Sequence, residues 1–328
     1  MFIIDVECYS NYFLLSALHI DTGRVIEFEM HNDSELDRAK LHRLMTRHTT
    51  ISFNGLNYDL PIITAALSKY TNKQLKALSD RIIKDGKKPW QIGIEIPQDF
   101  DHIDLFEVAP GKASLKIYGA RMNAPKLQDL PIEPSATITD QDAEALRKYC
   151  VNDLETTLML YETLQGQIDL RVKMSEQYSV DLRSKSDAQI AETVIKSELG
   201  KLTGKAYKAP KLADDYRFYY QDPRIISFET KALRDVFERI LKTPFEIGGN
   251  GAVTMPQWLK ENKIEIGDAK YQMGIGGLHS CEKSQHIVKG DAEVLFDLDV
   301  ASYYPSIILQ QNLAPKSLGR PFLKLYQS

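Results

Sequence analysis

Short runs of apolar, β-branched and aromatic residues alternate, over the first part of the chain, with stretches whose apolar positions recur every three to four residues. This is the pattern of strands interleaved with helices. Residues 2–7, 12–19 and 24–30 read as three strands joined by turns at Ser10-Asn11 and Asp21-Thr22-Gly23, which predicts an antiparallel meander. A helix capped by Asp33 or Ser34 follows, with Leu36, Leu41, Leu44 and Met45 along one side. Next come a short strand over Thr50-Ile51-Ser52-Phe53 ending at Asn54-Gly55, a helix opening near Asp59, a strand from His102 to Phe106, and a long helix from about Asp140 to Leu164. The fold class predicted is α/β, a mixed sheet flanked by helices.

The rhythm then changes. Residues 165–250 carry mostly helix-type periodicity, with Lys, Arg and Tyr interleaved around Lys201 to Tyr220. From Lys270 the strand pattern returns: a glycine-rich turn at Gly274-Ile275-Gly276-Gly277, a strand near His286 to Val288, an apolar strand from Val294 to Val300, and a helix starting near Tyr304. The expected division is 1–168, a mainly helical connecting region over 169–265, and a third segment over 266–328.

Composition changes this picture little. At 328 residues, 43% hydrophobic and 26% charged, the chain can bury two or three cores, which sets aside disordered and fibrous classes. No run approaches the roughly 18 apolar residues of a membrane span. Met1 leads straight into Phe2-Ile3-Ile4-Asp5-Val6-Glu7 without a basic-then-apolar leader, so a cytoplasmic, non-exported protein is expected. Cys8, Cys150 and Cys281 stand far apart, which suggests neither a zinc knuckle nor a disulfide framework. A net charge of −4 excludes a protein basic over its whole surface, yet it is compatible with one basic groove offset by acidic ligands.

Three acidic elements carry the chemistry. Asp5 and Glu7 lie two apart in an apolar strand, so they leave the same face, roughly 7 Å apart. Ionised carboxylates are almost never fully buried unless paired or bound to metal, so this face meets solvent or cations. The second element, Phe53-Asn54-Gly55-Leu56-Asn57-Tyr58-Asp59, delivers a carboxylate where a helix begins. The third, Tyr149-Cys150-Val151-Asn152-Asp153, puts a phenol and a carboxylate four apart on one helix face. Singly, each has an ordinary explanation: a solvated edge, an N-cap, a half-buried tyrosine beside an exposed aspartate. In this order they supply four carboxylates, enough to hold two divalent cations about 3.5–4 Å apart for phosphodiester hydrolysis.

With these residues in place, the chain resembles the DEDD exonucleases, specifically the proofreading domain of family B DNA polymerases, in which the core is RNase H-like. Asp5-Val6-Glu7 is similar to the first exonuclease motif, Asn54 through Asp59 to the second, and Tyr149 through Asp153 to the third. Lys148 occupies the position of the histidine subclass, and Tyr149 marks the tyrosine subclass. The resemblance implies two Mg²⁺ or Mn²⁺ ions per site, Asp5 bridging both. Glu7 and Asp153 would complete the water-activating site, Asp59 would support the second ion through water, and Tyr149 would orient the attacking water. Asn54 and Tyr58 would line the path of a single-stranded 3′ end. Ser114-Leu115-Lys116 falls where such nucleases carry a short helix, so Lys116 is a candidate to steady the scissile phosphate, against the plainer reading of a solvent-facing lysine.

A second signature lies near the C-terminus. Asp299-Val300-Ala301-Ser302-Tyr303-Tyr304-Pro305-Ser306 resembles the first palm motif of the same polymerases, with Tyr303 in place of the usual Leu. By that resemblance Asp299 would bind the catalytic metals. The backbone after it, with Ser302, Tyr303 and Tyr304, would meet the nucleotide, and Tyr304 would exclude a 2′-hydroxyl. The 274–277 turn is similar to the Tyr-x-Gly-Gly loop of protein-primed phage polymerases, with Gly274 at the tyrosine position. The family's later motifs do not follow before Ser328, so the expectation is the N-terminal part of a small viral or phage polymerase, without polymerase activity by itself. The implied partners are single-stranded or primer-template DNA, with dNTP and the remaining fingers, palm and thumb in the parent. A catalytically silent DNA-binding fragment and an RNA-trimming exonuclease remain as other readings of the same residues.

Overall fold

The computed structural model describes residues 1–32, 34–208, 212–213, 216–248 and 251–327. Its contacts divide the chain into two compact units, Met1–Ala206 with Ile308–Ser328, and Tyr207–Ile307.

The first unit opens with the meander: β1 (Phe2–Tyr9), β2 (Tyr12–His19) and β3 (Val25–His31). The β1–β2 register runs from Phe2↔His19 to Tyr9↔Tyr12, leaving Ser10 and Asn11 as the turn. After α1 (Arg38–Arg47), the chain forms β4 (Thr50–Ser52), α2 (Asp59–Leu67), α3 (Asn72–Ile83), β5 (His102–Asp104) and α4 (Leu115–Arg121). Then come α5 (Asp140–Thr163), α6 (Gln165–Tyr178) and α7 (Asp187–Thr203). The sheet order is β3-β2-β1-β4-β5. Its β1–β2 and β2–β3 pairs are antiparallel, and β1–β4 and β4–β5 are parallel, so the sheet is mixed.

Period-2 alternation in β1 explains the layering. Phe2, Ile4, Val6 and Cys8 share one core with residues of α1, α2 and α3. On the opposite face Ile3 joins Leu154 and Leu160 of α5, and Tyr9 joins Leu146 and Cys150. Each fully buried Leu, Ile or Phe in these clusters contributes roughly 1.5–3 kcal/mol. The central strand is thus apolar on both faces except at Asp5 and Glu7, which stay half-buried.

The cap of α1 corrects the sequence reading. The helix starts at Arg38, with Asp37 accepting from the Lys40 N–H at 2.9 Å, so Ser34 is not its cap. Burial of Leu36 fixes the approach of the chain and delays the first turn. Asp33, the other candidate, lies outside the described residues.

The second unit holds two antiparallel three-stranded sheets. One is built from β6 (Arg217–Tyr219), β7 (Pro244–Ile247) and β8 (Val253–Thr254), with α8 (Lys231–Lys242) between the first two strands. After α9 (Gln257–Glu261), β9 (Lys263–Ile266), β10 (Ala269–Met273) and β11 (Leu278–Ser280) form the other. The predicted glycine turn is the β10–β11 hairpin, closed by Gly274 N–H to Gly277 O at 2.6 Å. The unit carries an open, mainly apolar pocket of about 850 Å³ lined by Phe218, Phe228, Phe237 and Ile240 among others. The boundary between units falls inside α10 (Tyr303–Gln310), and α11 (Arg320–Gln327) packs on α7.

Two predicted strands are absent. Residues 286–288 and 294–300 have no regular structure, and Phe296 and Leu298 are 73% and 87% exposed. A strand exists only where a neighbour completes its backbone ladder, and among the described residues none lies alongside. Also among the described residues, no helix is long and apolar enough to cross a membrane.

Candidate active site

Local geometry sets the stage. β4 runs beside β1 only through Phe2↔Thr50 and Ile3↔Ile51, so among the described residues no strand lies on that side of β1 from Asp5 to Glu7. The turn of residues 53–58 and the first residue of α2, Asp59, reach this gap, where the Val6 backbone bonds the Asp59 carboxylate. From the face of the sheet comes α5, started by a capping box in which Thr139 accepts from the Asp142 N–H and Asp142 accepts from the Thr139 N–H. Its middle turn brings Cys150 Sγ to 3.2 Å from Asp5 Oδ2 and sets Tyr149 and Asp153 on the neighbouring face, hydrogen-bonded to each other.

Asp5, Glu7, Asp59 and Asp153 therefore lie near one another, and charges within the group raise the carboxyls of Asp5, Glu7 and Asp59. Burial, then the charge of Asp153, pushes the Asp5 carboxyl up to about 7. Burial holds Glu7 well above the carboxylate range, followed by Asp5, Asp153 and Asp59. Asp59 is raised by burial, then by Asp5 and Asp104. Burial also raises Asp153, opposed by hydrogen bonds from Tyr149 and Asn152 and by the charge of Lys116. Two like charges roughly 7 Å apart repel by about 2 kcal/mol at an effective dielectric near 20. Four together cannot all ionise without a counter-charge. No ion pair supplies one among the described residues, and Asp59 Oδ1 is buried without a hydrogen-bond partner. The donors are all oxygen, the set hard divalent cations take. In this conformation no three acidic, histidine or cysteine side chains among the described residues converge tightly enough to ligate one ion.

The other predicted residues are placed as follows. Asn54 adopts a left-handed backbone, φ 67°, and its Oδ1 accepts from Asn57 Nδ2 at 2.8 Å. Tyr58 turns its hydroxyl to Ser79 Oγ of α3 at 3.0 Å and packs against the core beneath the sheet. Lys116 lies in the first turn of α4, its Nζ bonded to Asp129 Oδ1 and its charge felt at Asp153. The second signature, over residues 299–304, belongs to the second unit. Asp299 is exposed, its Oδ1 accepting from the Val300 N–H at 2.8 Å. The apolar strand expected to lead into it is absent, since among the described residues no neighbouring strand pairs with 294–300. Ser302 has φ 51°, the rings of Tyr303 and Tyr304 are tilted at 56° with centroids 5.5 Å apart, and Tyr304 OH donates to Gly276 O at 3.2 Å.

Two contributors escaped the sequence reading. Asp104, at the end of β5, is buried and accepts three backbone N–H groups, from Asn54 at 2.8 Å, Leu56 at 2.9 Å and Phe106 at 2.9 Å. It pins the turn that delivers Asp59. An acid closing the apolar run His102 to Phe106 was the available signal. Gly55 is the other. A Cβ there would fall 1.8 Å from Ser52 Oγ, so no larger residue fits while that serine stays in place. No protein-family model matches the chain, and comparison with curated proteins returns no match.

Proposed function

We propose that the first unit is a divalent-metal-dependent 3′→5′ exonuclease that removes nucleoside 5′-monophosphates from single-stranded DNA, the proofreading activity of a family B DNA polymerase. One observation carries the reading: four carboxylates from β1, α2 and α5 lie near one another with no ion pair to any of them among the described residues, and a hydrogen-bonded tyrosine stands beside them. Such a cluster is unfavourable unless cations neutralise it. The five-stranded mixed sheet with helices on both faces supports an RNase H-like core, and the resemblance of residues 299–306 to a palm motif supports a polymerase parent.

On this reading Asp5, Glu7, Asp59 and Asp153 would hold Mg²⁺ or Mn²⁺. Bound ions supply nucleophile activation and neutralisation of the leaving oxygen. Tyr149, fixed through Asp153, is placed to orient water by hydrogen bonding, and its phenol stays protonated because burial and then the Asp153 charge push it up. Cys150 donates to Asp5 and limits the rotation of that carboxylate.

Incubating the protein with 5′-labelled single-stranded DNA and Mg²⁺ should give a ladder of products shortened from the 3′ end. EDTA, or Asp5→Ala combined with Asp153→Ala, should abolish it. A ladder that survives the double substitution overturns the proposal. Salt-sensitive binding without cleavage identifies a DNA-binding fragment, and a preference for RNA oligonucleotides identifies an RNA-trimming enzyme.

A further inference from the structure

Exposed tryptophan is costly, since the indole is among the largest apolar surfaces a side chain offers. Trp90 is 77% exposed, on a short helical turn over Pro89–Gln91. The turn is well held. Lys88 N–H donates to Gln91 Oε1 at 2.9 Å, Ile92 is buried in the core, and Ile94 and Ile96 pack against it. The indole is thus presented outward by an anchored loop.

Its neighbours are basic. Between residues 81 and 90 stand Arg81, Lys84, Lys87 and Lys88, all exposed, against one acid, Asp85. Lys84 is shared with Asp80 at 3.1 Å. Lys88 reaches the candidate active site, its Nζ donating to Asn57 Oδ1 at 3.1 Å, and Asn57 in turn donates to Asn54 Oδ1. The Lys88 ammonium therefore sits on the turn that ends in Asp59. Trp90 is two residues further, a span of at most roughly 7 Å of chain.

We propose that Trp90, with Lys87 and Lys88, is a single-stranded DNA subsite at the rim of the exonuclease site, the indole stacking on a base behind the 3′-terminal nucleotide and the lysines meeting its phosphates. This rests on the nuclease reading for its substrate. The chemistry of the patch is that of sequence-tolerant single-strand binding, in which an aromatic face takes any base and cations track the backbone. Lone surface lysines would give salt-dependent attraction without a stacking signature. A purely structural tryptophan would be covered.

The chain has two tryptophans, so Trp258→Phe leaves Trp90 as the sole reporter. Binding of fluorescein-labelled oligo(dT) is measured by anisotropy in EDTA, where cleavage does not interfere, alongside quenching of Trp90 emission by unlabelled oligo(dT). The expected result is saturable quenching that follows the anisotropy isotherm. Trp90→Ala should weaken affinity roughly 5- to 150-fold, the range that stacking one base on an aromatic ring provides. Trp90→Phe should recover most of it, and Lys87→Ala with Lys88→Ala should flatten the dependence of log affinity on log salt by about 0.7 per lost phosphate contact. Full anisotropy change without quenching, Trp90→Ala binding as well as the parent, or no binding at low salt would each overturn the subsite. Loss of cleavage with quenching and binding retained would count against the nuclease reading alone.

Discussion

Asp104 contributes to the site without joining the carboxylate cluster. Its two oxygens satisfy three backbone N–H groups that otherwise face a buried space. Asp104→Ala should therefore destabilise the protein by roughly 2–4 kcal/mol in denaturant titration, since each orphaned buried donor costs on the order of 1–3 kcal/mol and partial hydration recovers some of it. Asp104→Asn keeps one acceptor oxygen and should lose about half as much. Gly55 makes a second residue-level test. Gly55→Ala forces a Cβ against Ser52 Oγ and should cost about 1–3 kcal/mol. Adding Ser52→Ala removes the clashing hydroxyl, so the double mutant should be more stable than Gly55→Ala alone. An additive double mutant would show that the turn gives way elsewhere.

At the scale of elements, β4 and β5 are tied by one imidazole. His102 is buried between Thr50 Oγ1 at 2.9 Å and Ser52 Oγ at 3.1 Å. Burial, only partly offset by Asp101, lowers its pKa to about 3. Because the folded form resists a proton that the unfolded chain accepts near 6.5, stability is complete above 6.5 and falls as pH drops from there toward 3. The slope should reach about 1.4 kcal/mol per pH unit for this group. Melting curves across that range should show a steeper acid limb than those of His102→Gln.

These elements also show how far the sequence could be read. β1, β2 and α5 were legible because alternation and helical periodicity are local signals. Asp5, Glu7, Asp59 and Asp153 were singled out as candidates by their order and spacing along the chain. Asp104 and Cys150 were not, since an aspartate at a strand end and a cysteine in a helix acquire their roles only through partners 50 and 145 positions away. The opposite error occurred at 294–300. Apolar residues there read as a strand, but pairing is a property of neighbours and not of the segment.

For the molecule as a whole, the proposed reading would couple folding to cation binding at the acidic cluster. A divalent ion present at about 100 times its dissociation constant adds about 2.7 kcal/mol if it binds only the folded chain. Mg²⁺ or Mn²⁺ at pH 8 should therefore raise the melting temperature of the protein but not that of Asp5→Asn with Asp153→Asn. In EDTA the double variant should melt higher than the parent, because it no longer ionises raised carboxylates in a buried place.

The exposed run Val294-Leu295-Phe296-Asp297-Leu298-Asp299-Val300 carries a consequence for solubility. Five apolar residues among seven, with no proline, are a template for intermolecular strand stacking. Asp297 and Asp299 interrupt it with negative charge, which is how gatekeeper residues keep such segments apart. Asp297→Asn with Asp299→Asn should turn a dispersed preparation into one that scatters light and binds thioflavin on standing. In this chain, then, the charge of Asp299 would keep one copy of the protein from adding its exposed apolar run to the next.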